Sequence, residues 1–159
     1  MILKTPQSLK AEHDQLHAQL AQAIGSGGAT GEAAARVAKA LHPHFLKEEE
    51  YALPPLGLLP ALAEGKVLPE MEAAVAMAHR LKADLGHMLQ EHREIVVALE
   101  ALKEAANSEG NAAAAHFAEK LKLHAQTEEE VLYPAAILVG EYLKFEALGK
   151  DGKVIVNVH

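Results

Sequence analysis

A pattern of ten residues occurs twice in the chain and constrains its fold more than any other feature. One copy spans residues 44–53 and the other spans residues 124–133, and a proline follows each copy. Both read histidine, three residues, three glutamates and three further residues. The histidine and the first glutamate are four positions apart, so in a helix they lie on the same face. These pairs are His44 with Glu48 and His124 with Glu128. Each copy therefore predicts a helix that carries half of a metal site.

The repeat extends to a second histidine in each half of the chain. His13 and His92 each follow a glutamate, and they precede the histidine of the ten-residue pattern by 31 and 32 residues. Each half thus predicts a helix, a turn and a second helix. Two such hairpins, with apolar residues at helical spacing, predict an all-α fold, an antiparallel up-down four-helix bundle with a C-terminal extension.

The apolar spacing sets the expected boundaries of these helices. Helices are predicted over about 6–24, 32–51, 69–106 and 112–134, with helix continuing to about Leu148. Glycines over 25–31 predict a flexible connection, and prolines over 52–69 predict a loop with one short helix. The third helix is long enough that we expect a bend near Gly86 or an overhang. Residues 1–148 are predicted to form one domain, and residues 149–159 a tail with a short β-branched run that favours a strand.

The composition of the chain argues against several classes of fold and function. Half of the residues are hydrophobic and only 4% are aromatic, which favours helices packed at small residues over a β-sandwich. The net charge of −7 argues against nucleic-acid binding, which needs clustered Lys and Arg. No apolar run is long enough for a membrane span, and the first ten residues do not resemble a signal peptide, so a cytoplasmic monomer or homodimer is expected. The absence of cysteine excludes thiolate ligands.

Six polar residues occupy positions in the predicted core stripes. They are His13, His44, Glu48, His92, His124 and Glu128. A buried unpaired carboxylate costs several kcal/mol, and no Lys or Arg lies in these stripes to pair with the two glutamates. Two divalent cations would suit four imidazoles and two carboxylates. Mixed nitrogen and oxygen ligands favour iron, manganese or zinc.

With these residues and the proline after each glutamate triplet, the chain resembles the hemerythrin-like, or HHE cation-binding, family over roughly residues 9–137. The resemblance implies a four-helix bundle around two iron ions, and the ligand types leave manganese or zinc as alternatives. It also implies that both carboxylates bridge the metals, together with a solvent-derived oxo or hydroxo bridge. A ferritin-like site is disfavoured because no glutamate in the chain has a histidine three residues later.

The chain departs from the oxygen-carrying members of that family. These carry an extra histidine where this chain has Met88, and their last carboxylate corresponds to Glu129, which stays an alternative to Glu128. His17 and Tyr51 are further candidates for contact with the metals, although packing roles are favoured for both.

Three functional hypotheses follow from the resemblance and its departures. The leading one is a di-iron protein that binds or senses O2 or a related small molecule. The alternatives are a di-iron oxidoreductase acting on peroxide or nitric oxide, and a metal-stabilised helical interaction module. Whether the protein is an enzyme is left open.

Overall fold

The computed structural model describes residues 3–150, apart from the side chains of Leu148 and Lys150. These residues are helical and include no β-strand. The α-helices are α1 (Gln7–Gly25), α2 (Gly28–Lys47), α3 (Leu59–Ala63), α4 (Ala73–Ser108), α5 (Ala112–Thr127) and α6 (Tyr133–Lys150). Two 3-10 turns, Pro54–Leu58 and Pro69–Glu72, flank α3, and two π-helical segments, Glu48–Ala52 and Glu128–Leu132, follow α2 and α5. None of the described helices is both long and apolar enough to cross a membrane.

Four of these helices close into a ring. Helix α1 packs against α2 and α5, and α4 packs against the same two helices. This confirms the predicted four-helix bundle. Helix α6 includes Gly149 and Lys150, whereas residues 151–159, on which the predicted strand falls, lie outside the described residues.

The long helix α4 is supported along its first half by α6. Its 36 residues span about 54 Å at 1.5 Å per residue. It passes through Gly86 without interruption and contacts α6, so the expected overhang is not observed. The two helices approach each other closely at Gly140. A Cβ atom added there would lie only 2.4 Å from the Cβ of Ala78.

The predicted flexible connection over 25–31 is wrong, since α1 ends at Gly25 and α2 begins at Gly28. The carboxylate of Glu109 accepts hydrogen bonds from the Thr30 hydroxyl at 2.5 Å and the Thr30 N–H at 2.6 Å. These bonds provide acceptors for polar groups in the first turn of α2, including the Thr30 N–H, which has no partner within the helix. They also lower the pKa of Glu109. Gly31 allows close contact with α1, because a Cβ there would lie 2.8 Å from the Ile24 carbonyl oxygen.

Both glutamate triplets open a π-helical segment. The N–H groups of Leu53 and Tyr133 donate to carbonyl oxygens five residues earlier rather than four. The next residue in each case is a proline, which has no N–H and disfavours regular helical bonding around it. The wider turn rotates the residues that follow. Val131, which lies within the second of these segments, is 56% exposed.

The polar residues of the repeat form a layer between two apolar clusters. Leu16, Leu41, Ile95 and Leu121 belong to the cluster on one side of the layer. The cluster on the other side contains Tyr51, Leu56, Leu81, Met88 and Tyr133. On α4, for example, the chain passes from Met88 through His92 to Ile95. The layer is thus closed off from solvent above and below by close-packed side chains.

Candidate metal centre

The six side chains singled out by the repeat meet in the polar layer, each at most 6% exposed. Their ligating atoms form two groups in which all members lie within 4.8 Å of one another. The four-residue group contains His44, Glu48, His92 and Glu128. The three-residue group contains His13, His124 and Glu128. The resemblance implies two bridging carboxylates, whereas here Glu128 alone belongs to both groups.

Glu128 contacts histidines from both groups. Its Oε1 atom lies 3.2 Å from His92 Nε2, and its Oε2 atom lies 3.2 Å from His124 Nε2 and 3.7 Å from His13 Nε2. Glu48 lies nearest His44, with 3.5 Å between Oε1 and Nε2. The histidines therefore present their Nε2 atoms toward the carboxylates at the centre of the layer.

Three of the four histidines are held from outside by a further carboxylate. The Nδ1 atom of His44 lies 3.2 Å from Glu91 Oε1, that of His92 lies 3.0 Å from Glu129 Oε1, and that of His124 contacts Glu12. When Nδ1–H donates to a carboxylate, a neutral imidazole keeps a lone pair on Nε2. Metal-binding histidines commonly have this outer support. In these three histidines, an Nδ1–H that donates outward leaves the inward Nε2 atom as an electron-pair donor.

Two of these outer carboxylates follow the internal repeat. Glu12 and Glu91 each precede the lone histidine of their half, and each contacts the histidine of the other half's ten-residue pattern. Glu91 lies outside the stripe of α4 that carries Met88 and His92, yet its carboxylate contacts His44. Helical periodicity predicts the direction of a side chain from its own helix, but this contact depends on how α4 packs against α2.

The pKa values of the two central carboxyls shift in opposite directions. Burial, followed by the charge of Glu128, raises the pKa of Glu48 well above its ordinary value. Burial opposes ionisation of Glu128 too, but its close contacts with Glu48 and the surrounding histidines outweigh that effect and lower its pKa. Ionisation is therefore favoured at Glu128, the carboxylate that both groups share.

The buried carboxylates also retain unused bonding capacity. Glu48 Oε1 and Glu128 Oε2 are buried and have no hydrogen-bond partner among residues 3–150. Such orphaned oxygens are costly unless something satisfies them. A divalent cation fits this donor set, because it would be bound by imidazole nitrogens and carboxylate oxygens of the kind iron, manganese and zinc accept.

Sequence reasoning missed Tyr133, which the structure places inside the four-residue group. Its fully buried hydroxyl lies 2.9 Å from Glu48 Oε2 and 3.1 Å from the Nε2 atoms of both His44 and His92. Burial, with the charges of Glu48 and Glu128, raises its pKa. Tyr133 faces this group because of the π-helical turn before Pro134. Regular helical spacing does not predict that turn.

The other candidates lie outside both groups. The Tyr51 hydroxyl donates to Asp84 Oδ2 at 2.5 Å. The ring of His17 packs edge-on against Phe45, with 4.8 Å between centroids. Glu129 is bonded to the outer nitrogen of His92, and Met88 is buried in the apolar cluster. These side chains support the layer from its periphery.

His13 also borders a surface cleft of about 340 Å³. The walls of this cleft include Lys4, Lys10 and Glu49. The three-residue group therefore lies beside a depression open to solvent.

A helical bundle with a buried histidine and glutamate cluster at its centre defines a metal-binding protein. The chain matches the profile of the family described as hemerythrin HHE cation binding domain over residues 4–136, and it belongs to that family. Searches among curated proteins and among solved structures return no match.

Proposed function

We propose that the chain binds two iron ions and uses them to bind or sense O2 or a related small molecule such as peroxide or nitric oxide. In this proposal one ion is held by the four-residue group and the other by the three-residue group. The observation that carries it is the position of Glu128, whose two oxygens face histidines of different groups. A carboxylate shared in this way is suited to two neighbouring cations.

Bound iron would supply open coordination positions and electrons for a small molecule. The protein supplies unequal surroundings for the two ions. The four-residue group has two carboxylates and two imidazoles, whereas the three-residue group offers one carboxylate and two imidazoles. Fewer protein donors leave more positions open at the second group. Its His13 also borders the cleft, so we propose that the small molecule reaches the centre from this side.

The apolar clusters give this access route its selectivity. Packed side chains enclose the polar layer on two sides, so we expect the cleft beside His13 to admit small molecules more readily than bulky substrates. A small neutral molecule loses little hydration on entering such a site. Location in the cytoplasm and a monomeric or homodimeric state remain predictions from the sequence.

Protein purified from iron-supplemented cells tests the proposal through its metal content and absorption spectrum. We expect about two iron ions per chain, one for each group. Anaerobic reduction followed by exposure to O2 should give a reversible oxo-to-iron charge-transfer band. Steady turnover of peroxide or nitric oxide would favour the oxidoreductase. Iron-free protein from such cells, still unfolding cooperatively, would contradict the proposal and favour the interaction module.

His13→Ala and His17→Ala form a matched pair for this experiment. Both histidines lie on α1 one turn apart, but only His13 belongs to a group. His13→Ala should lose one iron ion and the response to O2. His17→Ala should retain both ions, and equal losses in the two variants would contradict the assigned role of the three-residue group.

A further inference from the structure

Three electron-pair donors converge on the hydroxyl oxygen of Tyr133. They are Glu48 Oε2 at 2.9 Å, His44 Nε2 at 3.1 Å and His92 Nε2 at 3.1 Å. The outer nitrogens of both histidines face carboxylates, Glu91 and Glu129, so their Nε2 atoms carry lone pairs. A phenol has only one proton to donate. Hydrogen bonding to Glu48 therefore leaves both contacts with the imidazoles unsatisfied.

The spacing of these atoms matches that of ligands around one metal ion. Neighbouring donors of an octahedral ion with bonds of about 2.1 Å lie about 3.0 Å apart. The three distances from the Tyr133 oxygen agree with that value. A tyrosine that only supported Glu48 by a hydrogen bond would need no contact with the two nitrogens that face the centre.

We propose that Tyr133 is a ligand of the metal ion in the four-residue group, through its phenol oxygen. This inference rests on the proposed iron centre and extends it. On binding, the metal–oxygen bond replaces the O–H bond, and the proton leaves to solvent with no change in the oxidation state of the metal. The negative charges of Glu48 and Glu128 disfavour a phenolate when no cation is bound. A bound cation would offset these charges.

The consequence is a centre whose two ions have different roles. Tyr133 raises the protein donors at the four-residue group to five residues, whereas the three-residue group keeps its three. The first ion is then enclosed by protein, and small molecules coordinate at the second. His44 and Glu48 come from α2 and the π-helical segment after it, His92 from α4, and Glu128 and Tyr133 from the chain after α5, so the enclosed ion also joins three arms of the bundle.

Tyr133→Phe tests the assignment, with Tyr51→Phe as its matched control. Both substitutions keep the aromatic ring in a fully buried position, but the Tyr51 hydroxyl contacts Asp84 and Met88 outside the groups. Ferric wild-type protein should show a phenolate-to-iron charge-transfer band together with tyrosinate modes in its resonance Raman spectrum. Tyr133→Phe should lose both signals, and Tyr51→Phe should retain them.

Iron content measured on the same samples separates this inference from the proposed function. Two iron ions per wild-type chain without a phenolate band, or a band that survives Tyr133→Phe, would overturn the assignment of Tyr133 and leave the iron centre standing. Wild-type protein without iron would overturn both. Loss of the band in both tyrosine variants would point to general disruption and count against Tyr133 as the ligand.

Discussion

Replacing Glu128 should remove both metal ions, whereas replacing Glu48 should remove only one. Glu128→Gln and Glu48→Gln keep the size of the side chain and remove its charge. Glu128 belongs to both groups and Glu48 to the four-residue group alone. The two substitutions therefore differ in the number of sites that lose a carboxylate, although both positions are fully buried.

The size of the effect follows from linkage between metal binding and folding. A metal at a free concentration 100 times its dissociation constant stabilises the folded state by about 2.7 kcal/mol per site, or about 5.4 kcal/mol for two independent sites. A chain of 159 residues gains about 2–4 °C in Tm per kcal/mol. Wild-type protein should therefore gain about 11–22 °C with metal. Glu48→Gln should gain about half as much, and Glu128→Gln should gain nothing.

The assay is thermal unfolding of metal-free protein titrated anaerobically with ferrous iron, together with metal analysis. Glu130→Gln is the control, because this third glutamate of the triplet is exposed and, within the described part of the chain, accepts a hydrogen bond from Gln126 alone. A gain in Tm with iron in Glu128→Gln, or no gain in Glu48→Gln, would refute the reasoning. Loss of both ions in Glu129→Gln but not in Glu128→Gln would show that the ligand register is wrong by one residue.

Three further substitutions test the surroundings of the centre. Glu91→Gln should weaken metal affinity about 10–100-fold in a chelator competition titration, because it loosens the support of His44 while the fold is kept. Gly140→Ala should lower the free energy of unfolding by about 1–3 kcal/mol through overpacking, whereas Gly86→Ala, with open space around it, should be neutral or slightly stabilising. Glu109→Ala should lower Tm at neutral pH; because the folded-state pKa is depressed, this difference should persist above the ordinary pKa of 4.5 and vanish as the pH falls below the folded-state value.

Helical periodicity was enough to predict from the sequence which residues of each helix face the core. Spacing within one helix determines which residues share a face, and this determined that His44 and Glu48 point together into the core. The duplication then extended the same conclusion to His124 and Glu128. Burial of polar residues without partners supplied the reason to expect a metal.

The features that were missed depend on contacts between helices or on local departures from regular helix. The bond from Glu91 to His44 and the capping of α2 by Glu109 join residues 47 and about 80 positions apart, which no periodic pattern encodes. Tyr133 was missed because the π-helical turn inserts a residue into the register. A proline six residues after the glutamate was the only sign of that turn, and it also fits a simple helix end.

The same π-helical segment decides how the chain tolerates a change of length before α6. A helix advances by about 100° per residue, so an extra residue in a regular helix would turn every later side chain by that angle. The wide turn absorbs this residue locally, because the Tyr133 N–H bonds the carbonyl oxygen of Glu128, five residues earlier. Deleting one residue between Glu128 and Tyr133 would therefore restore regular helix and leave Gly140 facing Ala78. A deletion in the regular part of α6, between Tyr133 and Gly140, would instead turn a larger side chain against α4 and disrupt the seam between the two helices.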